Sequence, residues 1–316
     1  MRISVWNDES LSDRYLKQVT QLGADCIDFG SGDWFLGVKE QGYPDLDAVI
    51  KARKKIQSYG LDINRVTLPD ISEDFMKSRP EGDKDLANTC QALRVFAEAG
   101  CPLARQRFVG DTFPQMMTRS RGKHRGNYES RSETLARPTP EYPSLEELDT
   151  WWERFTVIYD GLIPIADETG IQLTVHPSDT PNQDTPFGGI GFHRVIDAYP
   201  SRNVGYLYCC GTRAESGGSA IVMDEINNYG RKGKIFMIHL RNVRGSLATA
   251  GGFEETLLDD GDMNMFKILR ELKQVGFTGC VNPDHHPTLE GDEGGITALG
   301  YSIGYIKALF AALSVV

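Results

Sequence analysis

The chain has 316 residues, a length that α/β barrels commonly occupy as a single domain. Its formal charge of −10 excludes an extensive nucleic-acid face, because phosphate binding needs a basic surface. The opening MRISVWNDES lacks the apolar core of a signal peptide and no stretch reads as a membrane span; the six cysteines are too scattered for a disulfide framework, so a cytoplasmic protein with reduced thiols is expected.

Met1–Trp6 reads as a short apolar strand, Leu11–Leu22 has helical spacing, and Ala24–Phe29 is a second strand ended by Gly30–Gly32. A helix over Asp45–Tyr59 closes at Gly60, and a third strand, Leu61–Leu68, stops at Pro69. Asp83–Ala99 is a helix with Gly100 as its stop signal. Leu103–Val109 is a fourth strand, in which Arg105 and Arg107 are costly to bury without partners. Gln115–Pro143 then breaks the rhythm. It is basic, rich in Ser and Pro and without periodicity, and reads as a long irregular loop. Such a loop is either solvated and mobile or a lid whose Arg119, Arg121, Lys123, His124 or Arg125 attracts an anionic substrate.

Ser144 is a candidate N-cap with Glu147 at the capping-box position, opening a helix that runs to Thr169 and stops at Gly170. A fifth strand follows, starting at Ile171 and ending on His176. Ile190–Ala198 is helical, Val204–Cys210 is the sixth strand, and Gly211–Gly218 reads as a Gly-rich turn. Ala220–Tyr229 is helical and Lys234–Leu240 is the seventh strand. Met263–Val275 is a helix closed by Gly276, Gly279–Asp284 the eighth strand, and Thr297–Leu313 the last helix. Eight strand-then-helix units imply parallel strands with helical crossovers and predict a closed (β/α)8 TIM barrel, with an open doubly wound sheet as runner-up. No GxGxxG follows a strand and no Walker sequence is present, so nothing points to a dinucleotide or nucleoside triphosphate.

In such barrels the active site lies at the C-terminal ends of the strands. Strands five to eight end on or beside His176, Cys209, His239 and Asp284, and the fold would line these four along one arc of the mouth. Two imidazoles, a thiolate and a carboxylate suit Zn²⁺, Mn²⁺ or Fe²⁺, with one coordination position left for substrate. Taken singly, each is a common buried or rim residue; their shared register is what points to a metal. His285 and Tyr301 are candidate acid–base groups. Arg241 is placed to hold a carboxylate, or else a surface salt bridge.

Ordered motifs in the C-terminal half resemble those of the mannonate dehydratases, within the xylose-isomerase-like barrels. LTVHPSDTP resembles the family's H-P-D-D-P-P, YCCGT its C-T-G-S turn, and FMIHLRNV its H-x-R-N-V segment. FEETLLDDGDMNM is similar to its F-x-E…G-D-x-D-M, NPDHHP to R-P-D-H-G, and GYSIGYIKAL to its G-Y-S helix. The resemblance implies a divalent ion, Mn²⁺ before Zn²⁺, Fe²⁺ or Mg²⁺, held by His176, Cys209, His239 and Asp284. It implies proton transfer by His285 and Tyr301, and substrate binding through Arg241 and Asn242. The activity implied is dehydration of a sugar acid, D-mannonate to 2-keto-3-deoxy-D-gluconate or a related aldonate. The expected ligand is a small sugar acid, with no nucleic-acid or membrane partner, and a homo-oligomer is the expected assembly. The N-terminal half departs: VTLPDIS has no His, Arg107-Phe108-Val109-Gly110 stands in place of N-F-M-P, Leu258 stands where many members have His, and His286 replaces Gly. A sugar or sugar-phosphate isomerase or epimerase on the same barrel is the alternative enzyme. A metal-bearing sugar-binding protein is the alternative of another class.

Overall fold

The computed structural model describes residues 1–109, 117–123, 125–137, 143–178 and 189–315. Eight strands close into a barrel: β1 (Arg2–Trp6), β2 (Cys26–Asp28), β3 (Asp62–Thr67), β4 (Leu103–Arg105), β7 (Gln172–Val175), β8 (Val204–Cys209), β9 (Ile235–His239) and β12 (Cys280–Asn282). Every pairing around the ring is parallel, in the order β1-β12-β9-β8-β7-β4-β3-β2. The (β/α)8 barrel expected from the alternation of elements is therefore the fold.

Helices pack around the staves where the caps and stop signals predict. The Ser144 hydroxyl accepts from Glu147 N–H at 3.2 Å and the Glu147 carboxylate accepts from Ser144 N–H at 2.7 Å, a reciprocal box that satisfies two otherwise orphaned donors. That helix ends at Gly170, whose φ of 80° needs a residue without Cβ. Inside the barrel Leu103, Leu207 and Met237 form a small apolar plug, separate from the larger core between strands and helices. Above the plug, Asp28 accepts hydrogen bonds from Ser4, Asn64 and Asn282 at 2.5–2.7 Å, so the polar layer below the mouth is held by neutral donors.

Among its described residues, the segment expected to be an irregular loop is largely sheet. β5 (Met117–Lys123) and β6 (Glu129–Leu135) form an antiparallel hairpin. It joins β11 (Gly252–Thr256) and β10 (Asn242–Ser246) in a four-stranded sheet of order β10-β11-β6-β5. The buried positions of β6 are Ser130 and Ser132 on one face and Glu133 on the other, in place of apolar side chains, so no hydrophobic alternation marks the strand. A two-way backbone bridge between Glu129 and Thr288 ties the sheet to the loop after β12. Of the basic residues assigned to the lid, Arg125 pairs with Asp259 at 2.9 Å; His124, and the side chains of Arg119, Arg121 and Lys123, lie outside the described residues.

Two further expectations are corrected. The Gly-rich turn after β8 is a helix, Cys210–Gly217, capped by the Cys209 sulfur accepting from Thr212 N–H. Glu293–Leu313 does reach the length and apolarity of a membrane span. Its apolar residues serve packing: Ala298, Leu299, Ile303 and Ile306 are buried, and the helix lies beside Asp13–Leu22 and Met265–Gln274.

Candidate metal centre and active site

Cys209 and His239 are the last residues of β8 and β9, and His176 follows β7 directly. β12 stops at Asn282 because Pro283 has no N–H to donate to a ladder. Asp284 then adopts φ +59°, a left-handed conformation that Asp tolerates better than most residues, with its N–H on the Asn282 side-chain oxygen at 2.7 Å. This turn removes the alternation of a strand, so Asp284 and His285 both face the mouth.

Ligand atoms of His176, Cys209 and His239 lie within 4.8 Å of one another. Asp284 adds one carboxylate oxygen 3.3 Å from His239 Nδ1 and the other 3.8 Å from the Cys209 sulfur. Both His239 ring nitrogens are buried and have no hydrogen-bond partner among the described residues, a costly arrangement for a polar ring unless a cation is coordinated. Burial holds His176 well below the usual imidazole range and pushes His239 down to about 3, so both are neutral, as ligands must be. Burial works to raise Asp284, but His239, His285 and Arg241 outweigh it and keep the carboxyl well below its ordinary value. The Cys209 thiol is pushed up to about 11 by burial, so binding a cation there would release its proton. The donor set fits a divalent metal.

Arg241, expected to grip substrate, is engaged by the protein itself. It is 1% exposed, and its five N–H groups are all engaged. Nε donates to Asp284 at 3.0 Å; Nη1 contacts Glu215, and Glu255 at 2.5 Å; Nη2 donates to Thr212 at 2.9 Å and to the Cys209 sulfur at 3.5 Å. No donor remains for a substrate carboxylate. A Cβ at position 211 would stand 2.8 Å from the guanidinium carbon, which is why glycine follows the cysteine pair. Asn242 is also structural: its amide donates to the carbonyls of Leu258 and Met263 and accepts from Val243 and Met263 N–H, pinning the loop after β11.

Three groups that sequence reasoning passed over complete the site. Glu215, on the helix after β8, and Glu255, on β11, are buried between Arg241 and Arg131 of β6. Glu255 also holds His285, its Oε1 lying 2.9 Å from Nδ1. Asp284 and Glu255 raise the His285 imidazole above its usual value despite burial. Glu255 lies within the FEETLLDD motif; Glu215 and Arg131 lie in stretches read as turn and loop. The pocket, about 220 Å³, is lined by His176, His239, Asp284, His285, Arg131, Arg241 and Thr212 together with Trp6, Arg105, Pro177 and Ser178. Tyr301 is not among its lining residues. It is 40% exposed at the start of the last helix, and its hydroxyl interacts with Asp259 and Arg125.

A closed parallel barrel with these donors at its C-terminal mouth shares its fold with a xylose isomerase domain protein of Alicyclobacillus acidocaldarius, at TM-score 0.65 and 16% identity over 99% of each chain. The profile of the D-mannonate dehydratase (UxuA) family matches residues 105–316, well over half of the chain. The chain belongs to that family and is an enzyme of the hydro-lyase class. It is 24% identical over 306 residues to mannonate dehydratase 2 of Halalkalibacterium halodurans, covering 85% of this chain and 87% of the relative. The crystal structure of mannonate dehydratase from Streptococcus suis superposes with a TM-score of 0.80 at 20% identity, over 99% of this chain and 95% of that one. The barrel is shared more distantly with an L-ribulose 3-epimerase, at TM-score 0.61 and 14% identity over 99% and 95% of the two chains.

Proposed function

We propose that this enzyme is a divalent-metal-dependent dehydratase of a sugar acid, acting on D-mannonate or a related aldonate to give the 2-keto-3-deoxy acid. D-Mannonate would give 2-keto-3-deoxy-D-gluconate. The observation that carries the reading is the convergence of His176, Cys209, His239 and Asp284 beside a carboxylate-anchored His285, in a chain of the D-mannonate dehydratase family. Mn²⁺ is the proposed ion; the mixed N, S and O donors also suit Zn²⁺ or Fe²⁺, and the carboxylate Mg²⁺. When bound, the cation supplies Lewis acidity toward the substrate's oxygens.

Dehydration breaks the C2–H and C3–O bonds, releases water, and leaves an enol that tautomerises to the 2-keto acid. The protein must therefore move a proton at C2 and another at the departing 3-hydroxyl. His285 is placed for that work. Its Nδ1 is held by Glu255, which fixes the ring and leaves Nε2, 3.8 Å from Asp284 Oδ1, as the proposed transferring atom. Tyr301 can share the work only by leaving Asp259 and Arg125.

The test is turnover. Protein loaded with Mn²⁺ is offered D-mannonate and a panel of aldonates, and 2-keto-3-deoxy acid is measured. Product that disappears with chelator and in His285→Asn is expected. Metal-loaded protein that dehydrates none of the panel overturns the reading, and conversion of ketoses in its place would favour an isomerase or epimerase.

A further inference from the structure

The mouth divides into two arcs. The metal donors occupy the ends of β7, β8, β9 and β12, and β4 and β3 continue the ring beyond β7. The second arc is cationic. β3 carries one extra residue against β2, because Ile27 pairs with Ile63 but Asp28 pairs with Arg65. Such bulges re-aim side chains beside active sites. Here Asn64 reaches Asp28 and Met237 inside the barrel, and the next residue, Arg65, lays its guanidinium 4.8 Å over the ring of Trp6, which lines the pocket.

Arg65 is fully buried; it lies against the pocket wall at Trp6 and is not itself a lining residue. Its Nη1 donates to Thr67 at 3.0 Å, but Nε and Nη2 have no partner, and it makes no ion pair among the described residues. The Asp28 carboxylate below it is already engaged by Ser4, Asn64 and Asn282. Arg105, at the end of β4, lines the pocket and adds a second positive charge beside Arg65. Ser178, just past β7, also lines it, and its buried hydroxyl has no partner among the described residues. Two neighbouring guanidiniums and a hydroxyl, with buried donors of Arg65 and Ser178 unused, are matched by an anion. Elsewhere around the mouth Arg241 and Arg131 hold Glu215 and Glu255.

We propose that Arg65, Arg105 and Ser178 form an anion subsite that takes a carboxylate, on the arc of the mouth that adjoins His176. That this carboxylate is the reacting acid's own rests on the dehydratase reading; the subsite itself does not. These arginines replace nothing in the resemblance to the family's C-terminal motifs, since they belong to the divergent N-terminal half, and they would make the acid's charged end a determinant of specificity.

Binding is read without turnover in the metal-loaded His285→Asn protein, by calorimetric titration with D-mannonate and with the neutral, equally long D-mannitol. The acid is expected to bind at least about 10-fold tighter, a single charge-assisted contact's worth. Arg105→Gln and Arg65→Met should each erase most of that preference while metal content is retained, and Ser178→Ala should reduce it. If Arg65→Met does not fold, the outcome is decided by Arg105→Gln and Ser178→Ala. A preference for the acid that survives those substitutions, or no preference at the outset, overturns the subsite. Loss of preference in the variants of a protein that dehydrates no aldonate would leave the subsite standing and remove the dehydratase reading. Dehydration by variants with undiminished preference would do the reverse.

Discussion

Arg241 Nε lies 3.0 Å from Asp284 Oδ2, and this contact joins the metal-facing carboxylate to a guanidinium that reaches no solvent. The cation is shared with Glu215, Glu255, Thr212 and Cys209, so it sets the positions of two proposed ligands and of the carboxylate behind His285 at once. Arg241→Ala would leave buried carboxylates without their counter-charge. The expected cost is about 3–5 kcal/mol in urea unfolding, with loss of bound metal. Arg241→Lys should not restore it, because an ammonium cannot fill five directions in a plane. A residue that merely gripped substrate would behave differently: the variant would keep its stability and metal content and show only a raised KM.

Asn242 gives a second contrast between expectation and geometry. Its side chain closes hydrogen bonds to Leu258, Met263 and Val243 and is 1% exposed. Asn242→Ala is expected to lower stability by about 2–4 kcal/mol, the cost of leaving several buried backbone groups unpaired. KM for the acid should stay within about twofold of the parent in folded protein, on the absence of any substrate contact to lose. A tenfold rise in KM with unchanged stability would return Asn242 to the substrate site.

Both side chains are engaged within the protein for one reason. The H-x-R-N-V pattern places Arg241 and Asn242 beside the ligand His239, but spacing along a strand end does not report which neighbours will use up a side chain's hydrogen bonds. The partners come from elements that carried no apolar period: Glu215 from a helix read as a turn, Arg131 from a strand whose buried residues are Ser130, Ser132 and Glu133, and Glu255 from the strand beside it. The barrel itself was legible because its staves are continuous apolar runs such as VGYLYC, buried on both faces, between well-capped helices. The four proposed ligands were legible because each ends a stave, although Asp284 reaches the mouth through a left-handed turn after Pro283 and not as part of the strand. Tyr301 was placed by its position near the start of the last helix and by the G-Y-S resemblance, and the helix leaves it 40% exposed and outside the pocket lining.

Glu255 is the positioning residue for His285, and its replacement should separate proton transfer from metal binding. In Glu255→Gln the 2.9 Å contact to Nδ1 loses its charge while the side-chain shape is kept. Turnover is expected to fall about 10- to 100-fold, as for other groups that orient a catalytic or ligating imidazole, with metal content near that of the parent. The rate against pH should also change shape, since the residue acts through His285. An unchanged rate would show that His285 works without its anchor or does not work at all, and His285→Asn, expected to lose about 10²–10⁴-fold, distinguishes the two.

Removal of the metal is the last test, and Cys209 is the place to make it. Its sulfur is fully buried, accepts from Thr212 N–H and Arg241, and stands 3.8 Å from Asp284. A softer donor than the other three, it biases the site toward ions that accept thiolate. Cys209→Ser keeps the helix cap, because a hydroxyl can accept from Thr212 N–H, but supplies a poorer ligand. Metal analysis after dialysis should show at least a tenfold weaker hold on Mn²⁺ or Zn²⁺, about 1.4 kcal/mol or more, with unfolding by urea of the chelated proteins nearly unchanged. Chelator should abolish dehydration by the parent enzyme, and added Mn²⁺ should restore it. A serine variant that retains one ion as tightly as the parent would remove Cys209 from the coordination sphere and leave His176, His239 and Asp284 as a three-residue centre.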